Sequence, residues 1–304
     1  MKLGMSLPVT VDGLWDPLDT LEQWTRAIDD GPFASTTIGG RVAGDSPDIG
    51  ALLGAVAAWT SRVEIVAAIT PQLYDAVLLA KSLATVDRLS QGRLTVALGV
   101  SARDDDYRAL GVDLRTQNVH QLADRARTMR WVWRGDHLTD TVRPVGPRPV
   151  RESGPLLLMS LFGPHAVRSG AAWADGVQHV IESPDEACLA ELAEIFDLAR
   201  TSWAEAGRPA PQLRTSFWFA LDETAPAGAR QQIEDHVRDY VDWANPGYVE
   251  ETGRVAGYAG DAAGLVDALR RFEDLGVDEV NLIPTSADPA QVGIVAEIAG
   301  KLLG

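Results

Sequence analysis

Between Val63 and Gly99 the spacing of hydrophobic positions changes twice, and the change predicts a complete strand, helix, strand unit. Residues 63–69 form an almost unbroken β-branched and apolar run, the pattern of a parallel strand buried on both faces, and residues 93–99 repeat it. Between them Ala76, Leu79, Ala80, Leu83, Ala84 and Val86 fall at helical spacing, with Lys81, Asp87 and Arg88 at polar positions, so residues 76–89 read as a helix. Gly92 then stops that helix and turns the chain into the next strand.

The same alternation runs along the whole chain and gives eight strand candidates: residues 2–7, 35–38, 63–69, 93–99, 156–159, 176–180, 214–221 and 279–283. Helices are expected over 18–28, opened by Asp16-Pro17, and over 48–59, entered through Ser46-Pro47. Further helices are expected over 120–133, from the capping box Ser183-Pro184-Asp185-Glu186 to Ala206, and over 225–243, 261–275 and 288–302. Three polar or Pro/Gly-rich stretches, 101–118, 135–154 and 244–260, read as inserted loops. Strands alternating with helices imply right-handed parallel crossovers, and eight such units in 304 residues favour one closed (β/α)8 TIM barrel over an open sheet.

Ala80, Lys81, Ala84, Thr85, Asp87, Leu89, Ser90, Gly92 and Arg93, followed by Ala97-Leu98-Gly99-Val100-Ser101, match in one register an AKxxATxDxLSxGR signature and its following strand. In this the chain resembles the luciferase-like monooxygenase family of flavin- and deazaflavin-dependent oxidoreductases. The segment GYAGDAAGLVDALRRFEDLGVDEVNLIP near the end resembles that family's closing helix and strand. The resemblance implies a TIM barrel, a bound FMN or deazaflavin coenzyme F-420, a small organic substrate, a separate flavin or deazaflavin reductase as partner, and a homodimer. Leu52, Leu53, Val56 and Trp59, read as apolar on more than one side of their helix, add a local reason to expect pairing.

Composition narrows the partners. A formal charge of −16 argues against a nucleic-acid backbone, and no apolar run is long enough for a membrane span, so a cytoplasmic protein is expected. Cys188 is the single cysteine, which excludes an internal disulfide, and the five histidines show no metal-binding spacing. The run Asp104-Asp105-Asp106 reads as a solvated loop or a helix start.

Barrel active sites lie at the C-terminal strand ends. Those ends hold mostly small residues, backbone and aromatics, which suits chemistry carried by an organic cofactor. The resemblance places Ala67, Ala68, Ile69 and Thr70 against the cofactor ring, and Ser101, a small polar residue at the end of the fourth strand, is expected to touch the cofactor as well. Ser160, Leu161, Phe162 and Gly163, running into a helix, could offer free amides to its phosphate, or could form a plain capped turn. Deazaflavin-using relatives carry a histidine after the second strand and a glutamate after the fourth; here those places read Gly39-Gly40-Arg41 and Ala102-Arg103. Arg41, Arg103 and His179 are therefore the candidate catalytic residues. Met5, Trp15, Tyr74 and Trp218, with the stretch 245–258 as a lid, are candidates for the substrate pocket. The expected activity is flavin-dependent monooxygenation. Deazaflavin-dependent hydride transfer and a barrel that has lost its cofactor and serves as a binding or accessory protein are the alternatives.

Overall fold

The computed structural model describes residues 1–140, 143–160 and 163–303. They contain nine strands and eleven α-helices. The chain divides into two compact units, one of Met1–Thr37, His179–Phe196 and Leu213–Gly304, the other of Ile38–Gln178 and Asp197–Gln212.

The second unit holds the motif. Its strands β3 (Glu64–Ile69), β4 (Leu94–Gly99) and β5 (Leu156–Ser160) pair in that order with β6 (Gly176–Val180), whose residues up to Gln178 belong to this unit, all parallel. The helices α2 (Ile49–Trp59), α3 (Ala76–Leu89), α4 (Asp104–Ala109), α5 (Val119–Arg134) and α6 (Pro164–Gly170) accompany them. Helix α3 starts where Asp75 accepts bonds from the amides of Val77 and Leu78, at 3.0 and 2.9 Å, and α5 is opened by Asn118 and closed by left-handed Gly135. The motif residues are structural. Arg93 donates to Ser90 O, Thr60 O, Val63 O and the Thr60 hydroxyl, tying the end of α3 to that of α2. Buried Asp87 receives the Val150 amide at 2.7 Å, while Lys81 and Arg88 hold Gly146 O and Arg148 O. The described part of the 135–154 excursion is thus an irregular strap along α3.

Side chains on these strands separate cleanly. A Cβ on Gly170 of α6 would stand 2.5 Å from the Met159 sulfur, so Met159 faces the helices. Leu158 points the other way, in a cluster with Val66, Ala97 and Ala68. Alternation then makes Ala68, Gly99 and Ser160 the last inner positions of β3, β4 and β5.

The first unit pairs β2 (Ser35–Ile38), β1 (Lys2–Ser6), β9 (Glu279–Pro284), β7 (Gln212–Leu221) and β8 (Tyr258–Gly260) in that order, again parallel. Its helices are α1 (Thr20–Asp30), α8 (Ala229–Tyr240), α9 (Pro246–Val255), α10 (Ala262–Arg270) and α11 (Ala290–Leu303); α7 (Glu186–Glu205) begins here and ends in the other unit. Here the inner face is polar. Ser35 donates to Glu279 at 2.5 Å, Arg214 lies 3.7 Å from the same carboxylate, and Asn281 donates to Ser6 at 2.7 Å. A side chain on Gly4 would collide with Ser35, Glu279 and Asn281, which explains the glycine.

The fold is a (β/α)8 barrel with β8 as an additional short strand. Three expectations need correction. The stretch 244–260 is not irregular: Asn245 caps α9, and β8 follows. The stretch 101–118 contains α4 and a 3-10 turn at Leu114–Thr116. Helix α7 is capped by Asp185, which accepts the Cys188 amide at 2.9 Å, and Ser183 supports that carboxylate instead of capping the helix itself.

Candidate functional site

In the second unit the C-terminal strand ends open at their inner positions. Ala68 is half-buried between buried Ala67 and Ile69, and Gly99 and Ser160 are half-buried at the ends of strands whose middle residues are buried. Gly99 and Ser160 are register partners, and a Cβ on Gly99 would stand 2.7 Å from Ser160 O. The strand ends therefore present backbone edges and one methyl group, a surface that a flat ring can approach closely. Thr70 and Ser101 continue the same alternation. The Ser101 hydroxyl accepts the Arg103 amide at 3.1 Å, and its carbonyl accepts Gln117 Nε2 at 2.7 Å.

Two arginines stand beyond these edges. Arg103 is the residue before α4, and Arg41 lies just after β2, its amide on the Ser46 hydroxyl at 3.3 Å. Asp106 joins the two loops: one oxygen of this buried carboxylate accepts the amides of Val42 and Ala43 at 2.9 and 2.8 Å. By spacing alone the three successive aspartates are equivalent. Only their helical phase separates them, since Asp106 and Tyr107 fall on the buried side of α4. Burial and the Asp106 charge push the Tyr107 phenol up to about 12, and its hydroxyl has no hydrogen-bond partner among the described residues. Tyr74 is half-buried and its carbonyl accepts Arg125 at 3.0 Å; burial first, then the charges of Asp48 and Asp106, raise its phenol above the usual range.

Several predicted residues stand elsewhere. Ala67 and Ile69 face the helices, so only their backbone is presented to the inner side. His179 is buried and, by alternation from Val177, the partner of Met159, it also faces the helices; its carbonyl accepts the Thr215 hydroxyl at 3.0 Å. Arg41 and Arg103 belong to one unit and His179 to the other. Met5 is fully buried on the outer face of β1, while Ser6, bonded to Asn281, is the inner residue at that strand end. The one-residue error flips the side chain across the sheet. Trp15 is 39% exposed in the loop after β1. Trp218 lies on the inner face of β7, but its ring meets His236 at 6.2 Å and Tyr240 at 5.3 Å, so α8 covers this end of the first unit. Gln232 of α8 fastens that cover by donating to Thr285 at 2.9 Å. No sequence signal pointed to His236 or Gln232.

The phosphate candidates divide. Ser160 ends β5, and Gly163 precedes α6 with φ +90° and open space where a side chain would stand. Leu161 and Phe162 lie outside the described residues. Among the described residues no cluster of His, Cys, Asp or Glu could hold a metal ion, and no helix is long and apolar enough to cross a membrane.

Comparison with known proteins agrees with this architecture. Monooxygenase RslO1 from Streptomyces bottropensis superposes with a TM-score of 0.80 at 22% identity, covering 100% of this chain and 99% of that one. An F420-dependent secondary alcohol dehydrogenase, solved with an F420-acetone adduct, gives 0.77 at 18% identity, covering 99% and 98%. Uncharacterized protein Rv0953c of Mycobacterium tuberculosis is 30% identical over 164 residues, 51% of this chain and 56% of that protein. Pyrimidine monooxygenase RutA of Cronobacter sakazakii is 30% identical over 109 residues, 32% of each. The matched stretches thus span about half, or less, of these curated relatives. The profile of luciferase-like monooxygenases matches residues 1–293, and the chain belongs to that family.

Proposed function

We propose that the chain is a flavin-dependent monooxygenase that takes reduced FMN at the ends of β3, β4 and β5 and acts on a small organic substrate. The observation that carries this reading is the pairing of an open backbone edge at Ala68, Gly99 and Ser160 with Arg41 and Arg103 on loops held together by Asp106. The site fits such a group: a Cβ at Gly99 would crowd the edge, and Gly163 leaves space before α6. Ala68, Thr70, Gly99 and Ser101 would support the ring, and Ser160 and Gly163 would receive the phosphate.

Reduced FMN, when bound, supplies the electrons for oxygen activation. The guanidinium groups of Arg103 and Arg41 would offer planar sets of donors to negative charge on oxygen or on an anionic substrate. Gly39-Gly40-Arg41 and Ala102-Arg103 stand where hydride-transferring relatives are expected to keep a histidine and a glutamate, and this favours the oxygen reaction. Deazaflavin-dependent hydride transfer is the second reading, supported by the likeness to the F420-dependent alcohol dehydrogenase.

Titrating the purified chain anaerobically with reduced FMN and with F-420, and following absorbance and fluorescence, tests both readings. Tight binding of FMN with oxygen-dependent turnover supports the first. Saturation by the deazaflavin alone would replace it with the second, and binding of neither would leave an accessory barrel.

A further inference from the structure

The second unit carries another cavity, at the opposite ends of its strands. It has a volume of about 380 Å³ and is lined by Arg127, Arg130 and Arg134 of α5, by Arg208, and by Trp173 and Asp175 just before β6. Its lining holds four arginines and one carboxylate, which stands out in a chain of net charge −16. Three of them follow one another at i, i+3 and i+7 along α5, where like charges repel.

Asp175 does not cancel this cluster. Arg130 and Arg208 each lie 3.0 Å from one of its oxygens, and the Leu157 amide donates to it at 2.9 Å, so both oxygens are engaged and the two arginines with their one carboxylate keep a net positive charge. Arg130 also donates to Ser153 O and Trp173 O, which fixes its guanidinium at the cavity wall. Among the described residues Arg127 and Arg134 pair with Asp124 and Asp136, at 3.1 and 2.6 Å, in pairs about half-exposed on both sides. Such pairs contribute little, and both guanidinium groups can turn to another anion at small cost. Alanines at 123, 126 and 172 leave the space open.

We propose that this cleft binds a small phosphate-bearing anion, with Arg130 and Arg208 as the fixed wall and Arg127 and Arg134 as the closing donors. Planar guanidinium groups match phosphate oxygens in pairs, and a bound polyanion would relieve the repulsion along α5. This site is independent of any flavin at the other strand ends.

The test is calorimetric titration of the apo chain with inorganic pyrophosphate at low ionic strength. One equivalent should bind, more weakly as salt rises, and the Arg127→Ala, Arg134→Ala double variant should lose about tenfold or more in affinity at unchanged melting temperature. The single variant Arg127→Glu should lose affinity as well, which guards against a folding defect in the double variant. Absence of binding to the native chain, or equal binding to all three proteins, overturns the proposal. A drop in melting temperature without native binding also overturns it, and assigns the arginines to the C-terminal dipole of α5.

Discussion

Gly99 shows how much of the candidate site depends on what is missing. Its register partner Ser160 presents a carbonyl 2.7 Å from the position of a Cβ, so Gly99→Val must push the two strand ends apart. The expected cost is about 1–3 kcal/mol, read as a lower midpoint in urea, with FMN affinity falling further than stability predicts. Arg103 gives the complementary test because it adds chemistry instead of space. Arg103→Ala should slow oxygen-dependent oxidation with little change in melting temperature, and Arg103→Lys should recover only part of the rate because the planar fork is lost. Native kinetics in both variants would move the charge-stabilising role to Arg41.

At the scale of elements, α7 offers a prediction with a defined sign. The Cys188 amide and the Ser183 hydroxyl hold the Asp185 carboxyl below its ordinary range. A carboxyl that is more acidic in the folded chain stabilises it above the unfolded value of about 3.9, and that contribution disappears as the pH falls through the lower, folded value. Asp185→Ala should therefore cost about 0.5–2 kcal/mol near neutrality, and its melting curve should converge with the native one in strong acid. Elements with a clean period were legible in the sequence: α3, β2 and β6 fall at the expected residues, because each faces a continuous core. Helix α9 was not, because Asn245, Pro246 and Gly247 carry turn chemistry that also opens a helix. At the site the sequence identified the strand ends and lost the faces. Ser6 and Met5 are equally compatible with a buried strand, and only pairing with β9 decides which turns inward.

For the whole molecule, the number of copies is the open physical quantity. Leu52, Leu53 and Val56 of α2 are buried within their own unit, so they do not supply the exposed apolar surface expected from their spacing. The outer side of α2 instead carries Gly50, Ala51, Gly54, Ala55 and Ala58, and on α3 Leu78 is 66% exposed. Such a low surface lets two helices approach closely, and we propose pairing through it. Light scattering at micromolar concentration should give twice the chain mass, and Ala55→Glu should return it to one chain; a native monomer would remove the proposal.

The single oxygen of Asp106 shared by Val42 and Ala43 has one more consequence. Arg41 immediately precedes those amides, and Arg103 stands three positions before the carboxylate, so the two arginines are carried on one mechanical piece. Neither loop can swing outward without dragging the other or breaking both bonds at once. Opening of this rim should therefore be concerted, and the losses from Arg41→Ala and Arg103→Ala should fail to add until Asp106→Ala cuts the link.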